Sequence, residues 1–391
     1  MSVADLQRLA DLQYPVAGDL SADVSLHGSQ LDPIGTGSAK IVNARAYDEP
    51  VQKLVMKFHA DKGSMTSTLD VGLAAGSANG NLSYTPKTKA YTVGLNTSSL
   101  VLQKLHAVQA KNLPLAGTLT ASASGAGTLD NPQLTAVLEL PRLQLRQNSI
   151  SAVKAEFHVA NHRADLTLHS QLANASVQAR GSVNLSGNYE TEGTIDTTSV
   201  PLDQLLAMYL PTLPDGFQGQ TEFHATLQGP LKDKSRVEAH LTVPTLSASY
   251  QSLQIGTLGP IRADYSHSIV TLQPAEIRGT GTSLRVQGSI PLDGATAPNL
   301  TAQGSVDVRV LRIVEPDVRS SGILSLDIRT TGSAKNPAIQ GQVHLEDVAL
   351  STPSTPLGVE KLNGTLDIGN DRVQISSLTG RVGGGQVSLG G

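Results

Sequence analysis

One pattern, an alternating segment of strand length enclosed by two glycines, occurs four times in this sequence. The first glycines are Gly18, Gly117, Gly219 and Gly322, and a second glycine follows each of them after ten residues. An Asp or Asn comes four residues after each second glycine, and a proline follows it in three of the four copies. The first glycines are 99, 102 and 103 residues apart. The sequence therefore predicts a tandem array of repeats of about one hundred residues.

Between the two glycines, apolar and polar residues alternate in the same phase in all four copies. Thirteen of the sixteen even positions are apolar, and fifteen of the sixteen odd positions are polar, with Ile323 the exception. Side chains in a strand point to opposite faces with a period of two. The Gly, Asx and Pro cluster after each segment is typical of turns. The pattern predicts an antiparallel meander with one apolar and one polar face.

The repeat starts divide the chain into five predicted segments. Residues 1–17 match the end of a preceding repeat, residues 18–116, 117–218 and 219–321 are three complete repeats, and residues 322–391 are a partial fourth. Each repeat is expected to close with a short amphipathic helix. In the second repeat Ser199 is the expected cap, Pro201 the first helical position, and Leu202, Leu205, Leu206 and Tyr209 the apolar stripe.

Composition narrows the classes of partner and site that the chain can have. Only 3% of the residues are aromatic and 16% are charged, so any apolar surface consists mainly of aliphatic side chains. The net charge is −4 and no Lys/Arg run occurs, which argues against nucleic acid as a partner. The chain has no cysteine, which excludes disulfides and cysteine-based metal or redox sites.

No residue pattern typical of catalysis or metal binding is present. His59, His158 and His224 each follow a phenylalanine in an alternating run, so they belong to the polar face, and their spacing forms no ligand set. The sequence has no nucleophile elbow and no pair of carboxylates that would face one cleft. We therefore expect a protein that is not an enzyme and that needs no metal or cofactor.

The apolar face is the remaining candidate site. It either packs against a second sheet, as in a sandwich, or lines an open groove that binds an apolar ligand. The residues predicted to line the groove are Leu20, Ala22, Val24, Leu26, Leu119, Ala121, Ala123, Leu134, Ala136, Leu138, Leu140, Phe223, Ala225, Leu227, Val237, Ala239, Leu241, Leu324, Leu326, Ile328, Val343 and Leu345. Small aliphatic side chains would form a smooth wall along which acyl chains can slide.

The repeated set resembles the AsmA-like family, and within it the TamB-type translocation and assembly module proteins. The clearest instance is GILSLDIRTTGSAKNPAIQGQVHL, from Gly322 to Leu345, and the likeness extends over the whole chain. The third copy departs from the pattern, with Lys234 in place of the proline. The resemblance implies a long, continuous antiparallel β-ribbon, curved into a U-shaped groove with a hydrophobic concave face.

The resemblance also implies function and location. AsmA-like proteins are regarded as phospholipid conduits between inner and outer membranes, with a linked role in outer-membrane biogenesis and an outer-membrane barrel as a partner. The expected location is the periplasm of a diderm bacterium, with an inner-membrane anchor outside the given sequence. Two alternatives stay open: a chaperone that pairs strands with outer-membrane proteins, and a tandem array of immunoglobulin-like sandwiches. A polysaccharide-active enzyme would need paired carboxylates that face one cleft, and the sequence has none.

Overall fold

A computed structural model describes residues 2–9, 15–146, 148–172, 175–206, 213–292, 296–315, 317–332, 337–369 and 372–391. The protein is all-β, with 74% of residues in strands and 8% in helices. Among the described residues, 27 strands pair antiparallel in a sheet that is open and not closed on itself. Two compact units make up the chain: the first comprises residues 1–173 and 177–187, and the second comprises residues 174–176 and 188–391.

The first unit begins with helix α1 (Val3–Leu9) and continues as a series of hairpins. Its strands are β1 (Val16–Ser29), β2 (Asp32–Ala46), β3 (Glu49–Asp61), β4 (Ser64–Leu73), β5 (Gly76–Thr85), β6 (Ala90–Val101), β7 (Leu115–Thr128), β8 (Asn131–Leu145), β9 (Asn148–Ala160) and β10 (Arg163–Leu172). Each strand from β1 to β10 pairs antiparallel with the next. A 3-10 turn (Leu102–Lys104) and helix α2 (His106–Ala110) connect β6 to β7. Strand β11 (Ala175–Asn184) contains the boundary between the units.

In the described part of the second unit are the remaining strands, two short α-helices, and 3-10 turns at Lys234–Arg236 and Val308–Val310. Its elements are β12 (Glu190–Thr197), β13 (Val200–Pro201), α3 (Leu202–Leu206), β14 (Gln218–Thr221), β15 (His224–Pro230), β16 (Glu238–Val243), β17 (Leu246–Tyr250), β18 (Leu253–Thr257), β19 (Ile261–Ser266), β20 (Ile269–Gly279), β21 (Thr282–Pro291), β22 (Asn299–Asp307), α4 (Leu311–Val314), β23 (Arg319–Gly332), β24 (Pro337–Thr352), β25 (Thr355–Ile368), β26 (Val373–Val382) and β27 (Gly385–Leu389). From β20 to β27 each strand pairs with the next, as in the first unit.

The second unit also contains a fork. Strand β14 pairs with β13 and β17, whereas β15, which follows it in sequence, pairs with β12 and β16. Strands β18 and β19 then both pair with β20, at different ends of it. The connectors between the half-strands contain Pro244 and Pro260, whose nitrogens have no hydrogen to donate to a ladder. The prediction of one strand from Gly219 to Gly229 was therefore wrong: Phe223 lies in a break between two strands.

Short helices follow β6, β13 and β22, which are positions where the sequence predicts them. In the second of these places, Pro201 ends strand β13 and the helix starts at Leu202. The hydroxyl of Ser199 donates a hydrogen bond to Gln220 Oε1 at 3.2 Å rather than capping the helix as expected. Tyr209 lies outside the described residues. Among the residues that the structure describes, no helix is both long and apolar enough to cross a membrane.

Candidate functional site

In the first unit, apolar side chains lie opposite one another on every strand of the ladder. Directly paired residues of an antiparallel sheet project from the same face. One row of paired residues consists of Ala22, Ala39, Met56, Leu69, Gly80, Leu95, Ala123, Ala136, Phe157 and Leu166. A neighbouring row consists of Val24, Gly37, Phe58, Ser67, Leu82, Val93, Gly125, Leu134, Val159 and Ala164. These rows define what we call the apolar face of the first unit.

The apolar face of the first unit is open to solvent. The side chains of Val24, Leu95 and Leu134 are 50%, 41% and 37% exposed, although each is flanked by apolar neighbours on its own face. Large aliphatic residues of this kind are ordinarily buried, and a contiguous exposed patch of them marks a binding surface. A covering second sheet, as in a sandwich, would bury these side chains. The exposure therefore favours the open-face alternative.

Glycines on the apolar face make room for large neighbours. A Cβ atom at Gly37 would lie 2.4 Å from Cζ of Phe58, its partner on β3. A Cβ atom at Gly80 would lie 2.9 Å from Cδ2 of Leu95, its partner on β6. The large side chain thus occupies the place of the missing one, as in other sheets where an aromatic residue covers a strand glycine. The result is a surface with shallow relief.

The opposite, polar face of the first unit carries hydroxyls, amides and paired charges. Lys154 Nζ lies 2.7 Å from Glu156 Oε1, and this contact raises the pKa of Lys154 and lowers that of Glu156. His158 Nδ1 lies 3.2 Å from Thr135 Oγ1. The structure therefore confirms the prediction that His158 lies on the polar face. On β8 and β9, the two faces thus differ in chemistry.

The second unit has an apolar face of the same kind. One row of paired residues consists of Ile195, Ala225, Leu241, Ala263, Leu272, Gly288 and Leu300. Another consists of Ile277, Leu284, Gly304, Leu326, Val343, Leu366 and Ile375. Leu227 and Leu241 are 38% and 39% exposed. Both rows contain residues that the sequence places on the apolar face.

Parts of this second apolar face are covered by the unit's own residues. Leu345 and Val348 pack in one buried cluster with Val308, the first residue of the 3-10 turn (Val308–Val310) that leads into α4. Ala248 and Tyr250 form another with Phe217, and Leu202 and Leu206 of α3 pack against it. The helices that close the predicted repeats therefore contribute to local cores. Leu345, predicted to line the groove, is 7% exposed and belongs to such a core.

The structure brings most predicted site residues together within each unit. In the first unit, the predicted residues of β1, β7 and β8 lie on one face, linked by the intervening strands. In the second unit, Ala225, Leu227, Ala239 and Leu241 are direct partners on β15 and β16. Three residues do not fit an open groove: Phe223 lies in the break between β14 and β15, Val237 is buried just before β16, and Leu345 is buried in a local core.

Several residues of the apolar face were missed at the sequence level, among them Met56, Leu69, Leu82, Leu95 and Phe157. They lie on β3, β4, β5, β6 and β9, between or beside the strands that carry the glycine pattern. Part of their signal was available, because Met56 and Phe58 alternate with the polar residues Lys57 and His59 in the sequence. What the sequence did not provide was the register that brings them into one row with Ala22 and Ala123.

Concave surfaces are present on the polar face of each unit. In the first unit, a cavity of 520 Å³ is lined by Asn96, Ser122, Glu139 and Lys154. In the second, a cavity of 680 Å³ is lined by Gln218, Gln220, Ser247 and Gln254. Both are open depressions of mixed lining, since Ala121 and Val137 also line the first, and Ala248 and Ile255 also line the second. The apolar face, by contrast, is a broad open surface.

A partly buried ion pair joins Asp307 and Arg309 in the second unit. Asp307 is 3% exposed, and Arg309 Nη2 and Nε donate to its carboxylate at 2.6 and 3.0 Å. Burial raises the pKa of Asp307, but the hydrogen bonds and charge of Arg309 outweigh the effect of burial and leave the pKa lowered.

Within the described ranges, no group of three or more His, Asp or Glu side chains is arranged to hold a metal ion.

Comparison with family models, with curated proteins and with solved structures gave no match to this chain. The apolar face and its physical chemistry are therefore the basis on which a function is assigned.

Proposed function

We propose that the apolar face binds the acyl chains of phospholipids, and that the chain is a non-enzymatic segment of a lipid conduit. The observation that carries the proposal is the exposed, in-register apolar surface that runs across strands β1 to β10. Withdrawing an acyl chain from water onto such a surface is favourable by about 0.8 kcal/mol per methylene group. The headgroup remains in water and needs no dedicated pocket.

The dimensions of the apolar face suit an acyl chain. From Leu20 to Leu26 the stripe on β1 covers seven residues, and the six steps between them span about 20 Å at roughly 3.4 Å per step. A lipid leaflet is roughly 15 Å thick in its hydrocarbon region, which is half of the bilayer value. Along the ladder, ten strands at about 4.8 Å give roughly 43 Å of continuous surface. Several lipids can therefore lie side by side in the first unit.

The chemistry of the apolar face favours sliding over tight capture. Its side chains are mostly aliphatic, and glycines opposite Phe58 and Leu95 keep its relief shallow. A wall of shallow relief offers an acyl chain few specific contacts, so it holds one acyl chain much as it holds the next. Passage along the face then has only low barriers. Direction comes from the membranes or partners at either end.

The cellular location that we propose for the conduit follows from the resemblance to AsmA-like proteins. On that basis the conduit lies in the periplasm of a diderm bacterium and carries phospholipid between inner and outer membranes. A role in outer-membrane biogenesis and an outer-membrane barrel partner belong to the same proposal. The open sheet of the structure agrees with a ribbon, and the curvature into a U-shaped groove remains part of the proposal.

Lipid transfer between vesicles tests the proposal. Fluorescent phospholipid in donor vesicles is transferred to acceptor vesicles by the purified chain, and Leu134→Arg is compared with Gln133→Arg. Leu134 is exposed on the apolar face, and Gln133 is exposed next to it on the polar face. A charge in an apolar medium costs a few kcal/mol, so we expect Leu134→Arg to reduce transfer at least roughly tenfold.

The control variant separates a blocked face from a changed net charge. Gln133→Arg adds the same charge one residue away, and transfer is expected to stay close to that of the wild type. Circular dichroism establishes that both variants are folded. Equal transfer by the wild type and Leu134→Arg, or transfer no faster than the spontaneous rate, would show that the face is not a lipid path.

A further inference from the structure

His224 lies between two carboxylates on the polar face of the second unit. Its Nδ1 atom is 2.8 Å from Asp196 Oδ1, and its Nε2 atom is 2.9 Å from Glu222 Oε1. A carboxylate only accepts hydrogen bonds, so each ring nitrogen must donate one. Only the protonated imidazolium has two donors. The geometry thus requires a charged histidine, although the group is partly exposed.

The three residues lie where the sheet of the second unit forks. His224 is the first residue of β15, Asp196 is its partner on β12, and Glu222 is in the break after β14. Thr197 closes the same break: its backbone nitrogen donates to the Phe223 carbonyl at 3.1 Å, and its hydroxyl accepts from the Phe223 nitrogen at 3.0 Å. These contacts replace the regular ladder at Phe223.

We propose that His224, Asp196 and Glu222 form a proton-dependent clasp that fixes the fork of the second unit, closed when the imidazole is protonated and loosened when it is neutral. On deprotonation one ring nitrogen presents a lone pair to a carboxylate, and that contact becomes repulsive. Asp196 is held in the β12–β15 ladder, whereas Glu222 lies in the break. Glu222 is therefore the group released, together with the hydrogen bond from its backbone nitrogen to the Thr245 carbonyl at 3.3 Å.

Charged groups on the neighbouring strands complete the surroundings of the clasp. On β12, Glu192 lies four residues before Asp196 on the same face. On β16, the residue opposite His224 is Thr242, and His240 lies diagonally, bonded to Asp264 at 2.6 Å. On β19, Arg262 is opposite Thr242. Two carboxylates contact His224 directly and one cation lies two strands away, so the balance favours the imidazolium.

The direction of titration follows from these contacts. The hydrogen bond to Asp196, then that to Glu222, raises the pKa of His224 above its ordinary 6.5, against a smaller effect of burial. A raised pKa in the folded state means that the stabilisation is fully present below the unfolded pKa of about 6.5. It is lost as the pH rises through the higher folded value. The clasp is therefore closed in mild acid and loosens in the alkaline direction.

Two measurements on the full chain test the clasp. With carbon-13-labelled histidine, NMR titration gives the midpoint of His224, which we expect above 6.5 and lowered in both Asp196→Asn and Glu222→Gln. Hydrogen exchange, corrected for intrinsic rates, gives the protection of the Glu222 and Phe223 amides at pH 5.5 and pH 8.5. Loss of one hydrogen bond predicts a fall in protection of roughly two- to tenfold at the higher pH.

Two matched histidine variants show whether His224 is the group responsible for the pH dependence. His224→Gln is expected to abolish the pH dependence of protection at Glu222 and Phe223, and His240→Ala, which removes a histidine with one carboxylate partner, is expected to preserve it. A His224 midpoint at or below 6.5, or equal protection at both pH values in the wild type, overturns the proposal. A fall in protection that persists in His224→Gln overturns it as well, because another group would then be responsible.

Discussion

The ring of Phe58 on β3 covers Gly37 on β2 so closely that a Cβ atom at position 37 would stand 2.4 Å from Cζ of the ring. Both residues belong to the row that begins at Val24, on the apolar face of the first unit. The Phe58 ring occupies the space that a side chain at position 37 would take, and this keeps the apolar surface even. It also makes the glycine a structural requirement of the surface.

Gly37→Ala is expected to destabilise the first unit by roughly 1–3 kcal/mol, the usual cost of overpacking. The added methyl group must displace the Phe58 ring or separate β2 from β3. Urea unfolding measures the change. Gly385→Ala is the control, because the nearest atom to an added Cβ there is 3.5 Å away. Equal stability of Gly37→Ala and the wild type would mean that the ring does not depend on the glycine.

Arg309→Ala is expected to lower the free energy of unfolding by roughly 2–4 kcal/mol, because it leaves the buried carboxylate of Asp307 without its charged partner. Arg8→Ala is the matched control. Arg8 pairs with Asp5, but both side chains are exposed to solvent, so the expected change in stability is much smaller. Denaturant unfolding of the two variants measures the difference, and equal effects would contradict the account of Asp307.

Glu49→Ala is expected to destabilise helix α2 by about 1 kcal/mol. The residue before this helix, Leu105, offers no side-chain cap, and Glu49 supplies one from strand β3. Its carboxylate accepts from the backbone nitrogens of His106 at 3.0 Å and Ala107 at 3.3 Å. Hydrogen exchange of these two amides is expected to accelerate in the variant. Asp70→Ala, an exposed acid on β4, should leave both amides unchanged.

The pKa of Asp264 is expected to rise in His240→Ala. Hydrogen bonds from His240 and then Gln273 hold the pKa of Asp264 below its ordinary value, against a smaller effect of burial. A lowered folded pKa stabilises the fold above the unfolded value of about 3.9, and the contribution is lost as the pH falls through the folded pKa. Carbon-13 NMR of the carboxyl carbon measures the midpoint. An unchanged midpoint in the variant would show that the contact is not formed in solution.

Much of the apolar face was predictable, because alternation fixes which face a residue occupies. The sequence placed Ala22, Ala123 and Ala136 in one phase, and the structure places them in one row of paired residues. The period of two is a local property of a strand and requires no knowledge of its partners. The row itself depends on the register of every strand between β1 and β8, which bulges such as that at Gly117 and Thr120 adjust.

The fork in the second unit was not predictable from alternation. The segment from Gln218 to Leu227 keeps one alternating phase, with Thr221 the polar exception on the apolar face, yet its two halves pair with different strands. The cause lies elsewhere in the chain, at Pro244 and Pro260, where backbone hydrogens are missing from the neighbouring connectors. The cap that Glu49 provides for helix α2 was not predictable for a related reason, because Glu49 and His106 are 57 positions apart in the sequence.

Contact between acyl chains and the apolar face is tested most directly with single-cysteine labels, since the chain has no cysteine of its own. A fluorophore is attached at Leu95→Cys on the apolar face or at Asn96→Cys, its neighbour on the polar face. Phospholipid brominated on its acyl chains is then added as a quencher. We predict strong quenching at position 95 and little at position 96. Equal quenching at the two positions, or none at position 95, would contradict the assignment of the apolar face as the lipid-binding surface.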